Sequence, residues 1–65
     1  MEALKRYLDD SKTSQAELAK RVGVTQPTVW EWIHGKSKPS ADRLVALADA
    51  TGMSIDDLLA TPPQE

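Results

Sequence analysis

The sequence of 65 residues predicts an all-α fold, five short helices forming one domain over residues 1–60. Two observations predict it. Apolar residues recur at helical spacing, and no stretch alternates polar with apolar as a half-buried strand would. Serines suited to open helices stand at 14, 40 and 54, and glycines suited to close them at 23, 35 and 52.

The first helix is expected over residues 2–10, with Leu4, Tyr7 and Leu8 on one stripe. The second opens at Ser14, whose spacing from Glu17 is that of a capping box. Its apolar side is read as Ala16, Leu18, Ala19 and Val22, and Gly23 ends it. The third follows almost at once in "VTQPTVWEWIHG". Pro27 marks its start rather than a break, because the first N–H groups of a helix have no intrahelical partner to lose. Proline also disfavours helical geometry in the residue before it, which would make Gln26 the cap. The more usual arrangement places the cap at Thr25, with Gln26 already helical. Val29, Trp32 and Ile33 share the inner face, and Gly35 closes the helix. After the polar "KSKP" loop, Ser40 caps a fourth helix with the stripe Leu44, Leu47 and Ala48, ending near Gly52. Ser54 with Asp57 caps a short fifth helix carrying Ile55, Leu58 and Leu59. Residues 61–65, "TPPQE", read as a frayed, disordered tail.

Composition excludes several classes of function. Without cysteine there is neither a disulfide framework nor a thiolate zinc site, and a single histidine makes no metal cluster. No cofactor or metal is expected. No apolar run approaches the roughly 20 residues that cross a bilayer, and no signal-peptide pattern opens the sequence, so the expected location is the cytoplasm, away from membranes. A chain this small has room for a core and one working surface, not for a buried pocket around a small-molecule substrate. The net charge of −2 conceals an asymmetry. Through Lys38, seven Lys and Arg face five acids; from Pro39 onward, Arg43 alone faces five. A basic front and an acidic back are compatible with a polyanion bound at the front.

Two short helices joined by a tight turn must cross steeply, which leaves the second standing proud. A protruding helix about 10–12 Å wide matches the major groove of B-DNA. At this point the sequence resembles a known family. Ser14-Gln15, Ala19, Gly23, Gln26, Val29, Trp32, Gly35, Pro39-Ser40 and the Leu/Ala spacing after them are similar to the helix-turn-helix domain of the phage Cro and repressor proteins and their bacterial relatives. The resemblance covers about residues 11–60. It implies a lambda-repressor-like DNA-binding fold, a Cro-like repressor inserting residues 26–34 into operator half-sites, and double-stranded DNA as the partner. "SIDDLLA" reads as a capped helical fragment, so among Cro proteins the all-α form is the one resembled.

Gln26 is the first candidate for base contact: a glutamine amide makes a two-bond contact with adenine N6 and N7, and the resemblance implies base reading at this position. Gln15 matches the family's phosphate-contacting glutamine. Both could instead be ordinary surface amides. Pro27 and Thr28 are further base-contact candidates, Pro27 limited to apolar contact and Thr28 suited to a thymine methyl or a phosphate. Glu31 can accept from cytosine N4 or be a solvated helix charge. His34, Lys36, Ser37 and Lys38, around the end of the same helix, suit the flanking phosphates, or form a solvated loop. Pro27 and Ile33 depart from the family pattern. Trp32 belongs to the core, whereas Trp30 could cover the core's edge, stack on DNA sugar-phosphate or join a subunit contact.

The family's habit of binding as two-fold dimers implies a weak homodimer here, through Met53, Ile55 and Leu59 with Trp30 as an addition. For Ile55 and Leu58, simple core packing is an equal reading. The rival reading is a helix-turn-helix protein-interaction module, such as an antitoxin, whose acidic half suits a basic partner. Enzymatic activity is not expected. Asp9-Asp10 and Asp56-Asp57 are adjacent pairs whose side chains diverge by about 100° on a helix, and no acid is placed to orient His34 as a base.

Overall fold

Five helices form where local signals place them in a computed structural model that describes residues 1–59. They are α1 Glu2–Ser11, α2 Gln15–Val22, α3 Gln26–Ile33, α4 Ala41–Thr51 and α5 Ile55–Leu59, and no strand occurs among the described residues. The tail expected at 61–65 and the domain limit at residue 60 lie outside the described residues.

Three serine hydroxyls cap as their spacing requires. Ser14 Oγ accepts from the Glu17 N–H at 3.1 Å, Ser40 Oγ from Arg43 at 3.4 Å, and Ser54 Oγ from Asp57 at 3.0 Å. The capping box of α2 is half made, because the Glu17 carboxylate turns to the Arg21 guanidinium, 3.3 Å away, instead of reaching back to the cap. Thr25 holds the cap position of α3 with extended backbone, and Pro27 lies in the first turn. The Thr25 hydroxyl does not cap; it pairs with the Thr28 hydroxyl at 2.9 Å.

Gly23, at φ 84°, ends α2 in the left-handed conformation, and the Val24 N–H donates to Ala19 O at 2.9 Å. α3 ends in a full Schellman motif. Gly35 at φ 72° lets its own N–H reach Trp32 O and the Lys36 N–H reach Glu31 O, at 3.3 and 2.8 Å. α1 ends with the same reversal built on Lys12 at φ 54°, although a side chain costs about 1–2 kcal/mol there.

Leu4, Leu8, Leu18, Ala19, Val22, Val29, Trp32, Leu47 and Leu58 form the buried core, with Tyr7, Ile33, Ala48 and Met53 half-buried around it. α2 packs most extensively on α3, and α4 and α5 close the other side. One expectation needs correction, and one open choice is narrowed. Ala16 is exposed, because it points about 160° away from Leu18 around the helix. On α5, which packs on α1 and α4, Leu58 is buried, while Ile55 and Leu59 remain 38% and 57% exposed. No helix among the described residues is long and apolar enough to cross a membrane.

Candidate nucleic-acid interface

The tight turn from Gly23 to Thr25 sets α3 across α2 and determines which side of α3 stays free. Val29 and Trp32 are buried and Ile33 half-buried, so the inner side of α3 is used up by the core. At about 100° per residue, the opposite arc carries Trp30, His34, Pro27, Glu31 and Thr28 in that angular order, with Gln26 at its edge. Gln26, Pro27, Trp30 and His34 are exposed and Thr28 and Glu31 half-buried, so the rest of the described chain leaves this arc open.

Gln15 and Gln26 come together although eleven positions apart. Gln26 Nε2 donates to Gln15 Oε1 at 3.2 Å, joining the first turn of α2 to the first turn of α3. This bond uses one amide hydrogen of Gln26. Its Oε1 and second hydrogen remain, which is the pair needed to accept from adenine N6 and donate to N7. Gln15, accepting through Oε1, keeps its own NH2 group for an acceptor beside the α2 N-terminus.

His34 caps the C-terminal end of α3, and its ring meets Trp30 edge-on with centroids 4.2 Å apart. Lys36 and Lys38 are exposed and Ser37 half-buried in the loop that follows. Among the described residues, ion pairs join Arg6 to Glu2 and Arg21 to Glu17, leaving Lys36 and Lys38 without a carboxylate partner. An open cleft of about 300 Å³ separates the end of α1 from the start of α2 and the end of α3. Gln15, His34 and Lys5 line it, with Asp9 among them. Met53 is half-buried against the core, and Ile55 and Leu59 on α5 are exposed.

Two contacts had no signal in the sequence. The α-ammonium of Met1 donates to Trp32 O at 2.8 Å and Ile33 O at 3.1 Å, satisfying carbonyls at the end of α3. The Arg43 guanidinium donates to Val22 O at 3.3 Å, tying α4 to the end of α2. Neither follows any local spacing; both depend on how the helices pack.

A family model described as helix-turn-helix matches residues 4–58, nearly the whole described chain. The chain belongs to the helix-turn-helix family. In this helix-turn-helix domain, α2 and α3 are the paired helices, and Gly23 stands in the turn between them. The domain is similar to a Haemophilus influenzae protein named an uncharacterized HTH-type transcriptional regulator, at 40% identity over 50 residues. The match takes in 77% of this chain but 21% of the relative, so the domain spans about a fifth of that protein's length. No solved structure matches the helix-turn-helix chain.

Proposed function

We propose that this helix-turn-helix protein is a sequence-specific double-stranded DNA-binding regulator, a Cro-like repressor that lays residues 26–34 in the major groove of operator half-sites. The open outer arc of α3, starting at a Gln26 held by Gln15, carries this reading. Gln26, Pro27, Thr28 and Glu31 are the base-contacting set. Gln15, His34, Lys36, Ser37 and Lys38 bracket that set at both ends of the helix and are assigned to the phosphates. The name of the Haemophilus relative, a transcriptional regulator, agrees with the assignment.

One helix of this length reads only a few base pairs. A two-fold dimer would engage half-sites about 34 Å apart, and Met53, Ile55 and Leu59 supply an apolar surface for its contact. That contact is weak in this reading, because Asp56 and Asp57 share α5 with Ile55 and Leu59 and like charges oppose the association of two copies. The same features support a second reading as a protein-interaction module. Val45, Ile55 and Leu59 are exposed on α4 and α5, where Asp42, Asp49, Asp56 and Asp57 outnumber the single cation Arg43.

Selection from random duplexes separates the two. The DNA reading expects one recovered half-site sequence, repeated at one helical-turn spacing, with affinity falling steeply as salt rises. A chain that retains no duplex even at low salt, while holding a basic protein partner, would be an interaction module.

A further inference from the structure

Trp30 is the large apolar residue on α3 for which the core has no use. Val29, Trp32 and Ile33 already fill the inner side, and Trp30 is left 42% exposed. Its angular position is about 60° from Pro27, and His34 falls between them on the helix wheel. Indole and pyrrolidine therefore make one apolar strip along the open arc, beginning beside Gln26. The strip is also held in shape. Proline has no freely rotating side chain, and the His34 ring stands at 76° to the indole at a centroid distance of 4.2 Å, the edge-on geometry that aromatic pairs favour.

Neither the pyrrolidine ring nor the face of an indole can read a hydrogen-bond donor or acceptor on a base edge. Each can exclude water from an apolar group. In the major groove the four base pairs offer one such group, the C5-methyl of thymine. We propose that Pro27 and Trp30 together select thymine by its 5-methyl group, at base pairs next to the one engaged by Gln26. This deepens the assignment of α3 to DNA and rests on it.

The test uses the full chain and the duplex recovered by selection. Each thymine of the half-site is replaced singly by deoxyuridine, which removes one methyl and leaves every hydrogen-bonding edge unchanged. With the wild-type protein, one or two of these replacements weaken binding about fourfold each, the ratio equivalent to burying one methyl-sized group. The same replacements are silent with Trp30→Ser and with Pro27→Ser, while Gln26→Ala keeps the sensitivity. Because the methyl is removed from the DNA, the wild-type result does not depend on whether a variant folds. Equal affinity for thymine and uracil at every position, with preference for the selected sequence retained, overturns the proposal and leaves the DNA reading standing. Sensitivity that survives in both serine variants also overturns it. Absence of any sequence preference removes the DNA reading and this proposal with it.

Discussion

At the scale of single residues, the two chemistries assigned to the interface separate by what they discriminate. The amide of Gln26 retains the donor and acceptor that match adenine, so Gln26→Ala should cost about 1–3 kcal/mol on the selected sequence and relax preference at one base pair. Competition binding against duplexes changed at each position checks this, and an equal loss on random DNA would contradict it. Lys38 has no carboxylate partner among the described residues. Lys38→Ala should weaken binding to all sequences alike and lower the slope of log affinity against log salt by about one. An unchanged slope would remove Lys38 from the phosphate set. Lys12 tests the backbone rather than the interface. Its φ of 54° favours glycine, so Lys12→Gly should be more stable than Lys12→Ala by about 1 kcal/mol in thermal unfolding. Equal stabilities would mean that the left-handed geometry at the end of α1 carries no strain.

At the scale of elements, the turn between α2 and α3 decides how far α3 stands out. A Cβ at Gly23 would meet the Arg43 guanidinium at an ordinary 3.7 Å, so space does not forbid a side chain there. The backbone does: at φ 84°, Gly23→Ala should cost about 1 kcal/mol and lower Tm by roughly 4–8 °C. A melting temperature equal to that of the parent would show that the turn adopts another conformation. The helix boundaries were legible because each rests on chemistry within four or five residues, such as Ser14 with Glu17 or Gly35 with Lys36. The outer arc of α3 was legible for the same reason, since angular position follows from residue spacing. What was not legible depends on packing between distant segments. Ala16 looked inward only on a generous reading of the stripe, and α5 buries Leu58 while leaving Ile55 and Leu59 half out. The Gln15–Gln26 bond lies between these cases: both residues were singled out, but their meeting requires the α2–α3 crossing.

At the scale of the whole molecule, a single aliphatic core with one tryptophan orients everything else. Leu58 is 1% exposed and is the one residue through which α5 enters that core. Leu58→Ala should cost about 2–5 kcal/mol, a large share of the stability of so small a domain. Chemical denaturation measures it, and a cost under about 1 kcal/mol would mean that α5 is not part of the cooperative unit. Charge is organised on the same scale. Lys36 and Lys38 follow the open arc, whereas the four aspartates of residues 42–57 belong to α4 and α5. Repulsion from the acidic half therefore favours approach of a polyanion to the α3 side.

The most direct test of the central claim is a nuclear magnetic resonance titration of the labelled chain with the selected duplex. The account predicts that the largest shifts fall on the side-chain NH2 groups of Gln15 and Gln26, the indole N–H of Trp30 and the backbone of residues 26–38. Perturbations confined to α4 and α5, with α3 unchanged, would contradict it.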